Sequence, residues 1–445
     1  MRDPVYHKSL YWKLFSLWLL SIPFTRVNII GTLSIDNILA PILFGLWVIS
    51  ASAGGMGSRH VYQRAVHPGW IFAMILLYTA LRAAAAMLSW GAGQVVVSEL
   101  WVQAKAFLYL ILPLLYIRSH YDFQRVALFL VPVTVIVSLS SFAHSIGLIN
   151  LDFARNISEG RLDVVNIGRS GGLVGNYGDI AVLTAFTAIA MQCLGQQEGG
   201  RFGRLLGWKG FVYLCLLLGI IGSQSRNVIL TLLVAISVYL FMSGLSKRRA
   251  KLLLVTGITI LGMVSLALFA FYATTIFDMI LGSGSVRGSV ESRFVQYRES
   301  LRLIAEYPLL GPTGLARVQN LELLSHVHNI WLGTALRGGV FAALSMFGLF
   351  LILLLGGMRQ FSRGDYGCWA ILTLAGASAA LTASSFYSAQ NSYVYLMLFG
   401  ALLGSVCVGF RKPSRVHDES FVDPARQLSR KRLSGALDGP LKNRY

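Results

Sequence analysis

Long blocks of apolar residues, each near the length that crosses a bilayer, constrain this chain more than any other feature. A membrane-spanning helix needs about 17–25 mostly apolar residues, and such blocks recur along most of the 445-residue chain. Only 13% of the residues are charged, about half the share of a soluble globular protein. So few charges cannot cover a water-exposed surface. A soluble enzyme, a disordered chain and a disulfide scaffold are therefore excluded.

The blocks predict an all-α integral membrane protein with about twelve transmembrane helices and a large outer loop that contains an amphipathic helix. The candidate spans cover residues 10–25, 35–53, 69–88, 101–117, 126–147, 176–194, 210–222, 226–243, 252–273, 329–356, 367–386 and 392–410. The seventh span is too short to cross alone and ends in the polar break Ser223-Gln224-Ser225-Arg226. Such a break is tolerated only where it faces protein or water.

The basic residues indicate the orientation. With the N-terminus inside, every predicted inner loop carries Lys or Arg, as the positive-inside rule requires. Both termini are then cytoplasmic, and two long loops, 148–175 and 274–328, lie on the outer side. Most of the net charge of +19 therefore lies on the inner side. The basic balance reflects topology, and nucleic acid is excluded as a partner.

This map divides the chain into a polytopic membrane domain, residues 1–410, and a basic cytoplasmic tail, residues 411–445. The tail is rich in Lys and Arg and contains three prolines, a composition that predicts disorder. We expect it to touch anionic membrane lipid, with a regulatory or partner-binding role as the alternative.

The four cysteines form no CxxC pair and lie in or beside apolar segments. We therefore interpret them as small hydrophobic residues rather than as disulfides or metal ligands. They are Cys193, Cys215, Cys368 and Cys407.

Ionisable residues inside membrane segments are costly and usually functional. Five of them fall in the outer halves of their predicted helices: Arg82, Lys105, Asp179, Arg226 and Arg337. Each either reaches the outer interface with its long side chain or makes a single structural contact, and this interpretation is favoured for Arg82 and Lys105. Arg226 and Arg337 instead indicate a water-accessible cavity that opens to the outside.

The larger outer loop contains a predicted amphipathic helix between Glu291 and Glu306. Phe294, Leu301 and Ile304 recur at helical spacing, and Pro308 ends the run. Arg298 and Arg302, four residues apart, share one face. That face is either the solvated side of a packed helix or a grip for a polyanion, since the planar guanidinium fork donates paired hydrogen bonds to phosphate.

His326 and His328 stand where the tenth span begins. A metal site is disfavoured because no Asp, Glu or Cys stands nearby at ligand spacing. A histidine acting as general base fits better, since its pKa lies near neutral pH. A hydrogen-bonded histidine at the membrane interface is the structural alternative.

Three segments taken together resemble the O-antigen ligase and O-antigen polymerase superfamily. They are Gly222-Ser223-Gln224-Ser225-Arg226, then Ser292-Arg293 through Tyr307-Pro308-Leu309-Leu310-Gly311, and then His328-Asn329 ahead of Gly339. The similarity covers roughly residues 170–355. It implies a glycosyltransferase of the bacterial inner membrane, with the long outer loops in the periplasm. Such an enzyme uses a polyprenyl-diphosphate-linked glycan without a metal or nucleotide cofactor.

The resemblance also implies roles for single residues. Arg226 and Arg293 would hold the pyrophosphate, with Arg293 counted among the catalytic residues, and His328 would assist the acceptor hydroxyl. Arg298, Arg302, Arg337 and Arg161 are added as candidate substrate-binding residues. The expected partners are undecaprenyl-diphosphate-linked oligosaccharide, membrane lipid, and a flippase and a chain-length regulator of the same pathway.

The two branches of the superfamily make different predictions. The ligase branch favours H-[NSQ]-x9-G-x-x-[GTY], and this chain follows it from His328 to Gly339 but has Ala342 at the last position. The polymerase branch has an R-x10-G pattern in an outer loop, which Arg161 and Gly172 fit. We predict polymerisation of an exopolysaccharide or O-antigen repeat. Ligation to another acceptor is the nearest alternative, and transport of an anion or small solute is a third.

Overall fold

The computed structural model describes residues 10–22, 34–52, 68–90, 94–149, 151, 172–174, 177–195, 208–223, 226–246, 285–320, 327, 329–362, 367–386 and 393–408. All of them belong to the compact unit Met1–Gly409, which is distinct from the unit Phe410–Tyr445. Within the described ranges, all regular structure is helical. The α class predicted from the sequence is confirmed for this part of the chain.

Thirteen α-helices make up the described part of the chain. They are α1 (Leu10–Ser21), α2 (Ile35–Ser52), α3 (Pro68–Trp90), α4 (Gln94–Tyr116), α5 (His120–Ser145), α6 (Tyr177–Gly195), α7 (Lys209–Ser223), α8 (Arg226–Ser246), α9 (Ser285–Glu306), α10 (Leu315–Gln319), α11 (Ile330–Ser362), α12 (Gly367–Phe386) and α13 (Tyr393–Cys407). A short 3₁₀ turn, Gly172–Val174, precedes α6.

Eleven of the twelve predicted spans coincide with a helix, and the ninth, 252–273, lies outside the described residues. By length and composition, four described helices could cross a membrane on their own: α3, α4, α5 and α11. Six more apolar helices are shorter. A multi-pass membrane protein is therefore the architecture. The number twelve, the periplasmic position of the long loops and the cytoplasmic termini stay predictions.

The core lies around α6 and α13. Every residue of α13 from Val394 to Cys407 is buried, so this helix is surrounded by protein on all sides. Helix α13 packs on α4, and α11 packs on both α3 and α12. On the other flank, α8 packs on α12 and α6, while α7 pairs with α5. Helix α9 lies against α11.

A disulfide joins Cys193 at the end of α6 to Cys368 at the start of α12, with 5.3 Å between the Cα atoms. The interpretation of all four cysteines as small hydrophobic residues is wrong for this pair. The two residues are 175 positions apart, and only the packing of α6 on α12 brings them together. Cys215 and Cys407 are buried thiols, as predicted.

The amphipathic helix predicted in the large loop is confirmed as α9, which ends two residues before Pro308. Its buried face differs from the predicted one. Leu303, 2% exposed, packs with Val327 and Leu336, whereas Phe294 and Leu301 are exposed. Of the three predicted apolar residues, only Ile304 packs against this cluster.

Candidate functional site

Helix α11 is broken at Gly339, where φ is +79° and ψ is 177°. The backbone N–H of Val340 donates to the carbonyl of Pro308 at 2.8 Å instead of bonding within its own helix. A Cβ placed on Gly339 would lie 1.8 Å from the Leu309 carbonyl oxygen. The break therefore requires glycine. The segment that follows α9, Tyr307–Gly311, packs against the backbone at this break.

Asn329 caps the start of α11. Its side-chain oxygen accepts from the backbone N–H groups of Trp331 at 2.9 Å and Leu332 at 3.1 Å. This is the bonding expected of a helix N-cap residue, since the first N–H groups of a helix have no partner within it. His328 itself lies outside the described residues. The cap gives a reason for the asparagine that follows His328 in the sequence: its side chain bonds to the first N–H groups of α11.

Arg82 of α3 is 1% exposed and lies beside the broken helix. Its Nη1 donates to the Tyr78 hydroxyl at 2.6 Å, and its guanidinium carbon lies 5.3 Å from the centre of that ring. Nε and Nη2 have no hydrogen-bond partner among the described residues. A Cβ on Gly338 would lie 2.7 Å from Arg82 Cγ, so the arginine passes directly against α11. Its side chain is buried inside the protein and does not reach the outer interface.

Two further arginines surround Arg82. Arg337, partly buried, comes two residues before the break of α11, and Arg317, 5% exposed, lies on α10. Arg337 experiences the charges of Arg82, Arg317 and Glu99, and Arg317 experiences those of Glu99 and Arg82. Glu99 of α4 acts on Arg317 and Arg337 with the opposite sign. We call Arg82, Arg317, Arg337 and Glu99 the arginine cluster.

Burial lowers the pKa of Arg317, and the positive charge of Arg82 lowers it further, while Glu99 acts in the opposite direction. Both lowering effects disfavour the charged form of a buried base. A negative group bound near Arg317 would oppose them. Glu99 is one such group, and its effect on Arg317 exceeds that of Arg82.

Next to the cluster lies a second polar group in the interior. Tyr109 of α4 donates a hydrogen bond to the buried carboxylate of Asp36 on α2. The ammonium nitrogen of Lys105 lies 4.4 Å from the centre of the Tyr393 ring. Tyr393 also experiences the charges of Asp36, Arg82 and Glu99. Lys105 is thus held by internal contacts, in line with the structural alternative predicted for it.

The remaining predicted site residues are distributed over several elements. Arg226 is the first residue of α8 and Arg293 lies within α9, and their side chains are outside the described part. Arg161 lies outside it altogether. Of the seven site residues predicted from the sequence, Arg337 is the one that belongs to the arginine cluster in the described structure. Arg82 appeared in the sequence analysis without a substrate role, and Arg317 did not appear in it.

Arg298 and Arg302 are exposed on α9. Arg302 is engaged by carboxylates of its own helix: Nε bonds to Glu299 at 2.9 Å and Nη1 to Glu306 at 2.8 Å. The hydrogen bond and charge of Glu299, together with the charge of Glu306, raise the pKa of Arg302. A phosphate would have to compete with both carboxylates for this guanidinium.

The polar break after α7 is held by α5. Gly222 lies against the backbone of Ser141 and Phe142, where an added Cβ would come 2.6 Å from the Phe142 nitrogen. One residue before Ser141, the Ser140 hydroxyl accepts from the backbone N–H of Leu173 at 3.1 Å. The C-terminal part of α5 thus contacts both the end of α7 and the Gly172–Val174 turn. The candidate R-x10-G glycine and the serine-rich break are thereby attached to one helix.

A family model described as O-antigen ligase matches residues 211–347. This region includes α7, the polar break, α8, α9, α10 and the first half of α11 with its glycine break. No curated protein matches the chain. The three segments that carry the resemblance all lie within the matched region. The resemblance to the O-antigen ligase and O-antigen polymerase superfamily is thereby confirmed over residues 211–347.

Proposed function

We propose that this protein joins polyprenyl-diphosphate-linked glycan units on the periplasmic face of a bacterial inner membrane, polymerising an exopolysaccharide or O-antigen repeat. The observation that carries the proposal is the O-antigen ligase match over residues 211–347. The family indicates a membrane glycosyltransferase of the ligase or polymerase type that acts on polyprenyl-linked glycans. The repeat unit, the direction of transfer and the acceptor go beyond the family match and are part of the proposal.

Arginine side chains suit this chemistry. Transfer breaks the bond between the sugar's anomeric carbon and the diphosphate oxygen, and forms a new bond from that carbon to an acceptor hydroxyl. The departing diphosphate gains negative charge, and fixed guanidinium groups in a site shielded from water stabilise such charge strongly. Arg226 and Arg293 are the residues proposed to contact it.

The acceptor hydroxyl must lose its proton during transfer. His328 is the proposed base, since an imidazole titrates near neutral pH. In the sequence it directly precedes Asn329, whose side chain caps the start of α11. A base needs a fixed position because proton transfer takes place over a single hydrogen bond.

Replacement of the proposed residues tests the function. Arg226→Ala and His328→Ala should each abolish glycan assembly in cells while leaving the amount of membrane-inserted protein unchanged. Arg125→Ala is a matched control: Arg125 packs over the rings of Trp12 and Tyr121, at the opposite end of α5 from the polar break. Normal-length polymer in either Arg226→Ala or His328→Ala would refute the role of that residue.

Ligation is the second candidate, favoured by the description of the matching family as O-antigen ligase. The two activities give different products from the same lipid-linked donor. A polymerase yields a ladder of repeats that remains on the carrier lipid, whereas a ligase yields one transfer to a second acceptor. Gel analysis of the products of purified protein with a labelled donor distinguishes them.

A further inference from the structure

We propose that the arginine cluster, Arg82, Arg317 and Arg337 with Glu99, is a phosphate-binding subsite. The inference rests on the proposed function for the identity of the molecule that carries the phosphate. Arg82 belongs to α3, outside the region matched by the family model. The subsite therefore extends the substrate-binding region beyond the O-antigen ligase domain.

The hydrogen-bonding state of Arg82 is the first reason. The side chain is 1% exposed, one nitrogen donates to Tyr78, and Nε and Nη2 have no partner among the described residues. A buried charged donor that lacks an acceptor loses its hydration without compensation. An arginine held in this state is a binding group for an external acceptor.

The balance of charge is the second reason. Three guanidinium groups interact electrostatically with one another, and Glu99 acts on Arg317 and Arg337 with the opposite sign. Like charges confined in a poorly hydrated interior repel strongly. An oxyanion of more than one negative charge would relieve this repulsion, and phosphate matches the planar fork of arginine.

The backbone around the cluster is the third reason. Gly338 leaves room for Arg82, since a Cβ there would lie 2.7 Å from Cγ of the arginine and 2.9 Å from Cβ of Ala342. The next residue, Gly339, carries the break that receives the segment Tyr307–Gly311. The cluster is thus built on the same broken helix that holds α9, the helix of Arg293.

Binding of inorganic pyrophosphate to the purified full-length protein in lipid nanodiscs tests the subsite without requiring catalysis. Arg82→Gln and Arg317→Gln should each weaken binding roughly tenfold to a hundredfold, the range expected for losing a charge-assisted hydrogen bond. Arg125→Gln, which removes another arginine that packs on aromatic rings, should bind as the wild type does.

A second pair of variants keeps every charge. Gly338→Ala should displace Arg82 and weaken pyrophosphate binding. Gly348→Ala lies on the same helix, but its added Cβ meets the flexible end of Met74, with Sδ at 2.9 Å, and should leave binding unchanged. The proposal is overturned if the wild type does not bind pyrophosphate, or if Arg82→Gln, Arg317→Gln and Gly338→Ala all bind it with wild-type affinity.

Competition identifies the source of the phosphate. Displacement of labelled pyrophosphate by a polyprenyl diphosphate assigns the subsite to the donor lipid, and displacement by a phosphorylated glycolipid assigns it to an acceptor. Displacement by neither overturns a substrate role. A wild-type protein that binds pyrophosphate but never transfers a glycan would refute the proposed function while leaving the subsite intact.

Discussion

Arg302 shows how neighbouring residues decide what an arginine can bind. On the sequence it stands one turn from Arg298, on a face that could grip a polyanion. In the structure its guanidinium bonds to Glu299 and Glu306. These carboxylates already occupy two of its donor positions, so a substrate phosphate gains less there than at an arginine whose donors are available.

We therefore expect Arg302→Ala to lower glycan assembly by less than about tenfold, in keeping with the small contribution of exposed ion pairs. Arg293→Ala, by contrast, should lower it by roughly a hundredfold to a thousandfold, the loss typical of a group that stabilises developing negative charge. Polymer yield per unit of membrane-inserted protein measures both. Equal losses in the two variants would contradict this distinction.

Arg82 and Arg317 mark how far the sequence could predict the site. Arg82 was recognisable as an ionisable residue in an apolar span, but its partners depend on the position of Gly338 on another helix. Arg317 gave no comparable signal, because it stands in a loop with several other arginines and no spacing separates it from them. Arg226, Arg293 and His328 were proposed through the family resemblance of short motifs, and their roles stay predictions.

Helix α11 shows the same limit for a whole element. Apolar composition predicted a span over residues 329–356, and a helix runs through that range. Composition does not reveal that the backbone N–H of Val340 donates to the carbonyl of Pro308. A pair of adjacent glycines, Gly338 and Gly339, was visible in the sequence, but its structural role depends on a segment about thirty residues earlier in the chain.

We expect Gly339→Ala to destabilise the protein, because φ of +79° is strained for any residue with a Cβ, which alone costs about 1–3 kcal/mol. The contact with Leu309 would add to this cost and loosen α9 from α11. Thermal unfolding in detergent measures the change.

Gly45→Ala is the control. Gly45 lies within α2, and nothing stands within 4 Å of its added Cβ. Alanine is favoured over glycine inside a helix by roughly 0.5–1 kcal/mol, so this variant should unfold at the same or a higher temperature. A Gly339→Ala protein as stable as Gly45→Ala would mean that the break of α11 does not require glycine.

The orientation of the whole molecule connects the charge pattern with the disulfide. The positive-inside rule predicts that α6 ends and α12 begins on the cytoplasmic side, where Cys193 and Cys368 are bonded. Disulfides are rare in the cytosol, which keeps thiols reduced. The charge pattern therefore predicts that this end of the bundle lies in the cytoplasm, whereas the disulfide favours an oxidising compartment. Labelling from one side of the membrane decides between the two.

Reporter cysteines measure it directly. The native cysteines are buried or bonded to each other, so single reporters can be introduced into the native chain. Ser158→Cys lies in the loop predicted to be periplasmic and Gly199→Cys in one predicted to be cytoplasmic. A membrane-impermeant maleimide should label Ser158→Cys in intact spheroplasts and Gly199→Cys only after permeabilisation. The reverse pattern would place the disulfide end of α6 and α12 in the oxidising compartment and the proposed active site in the cytoplasm, which would exclude a periplasmic polymerase.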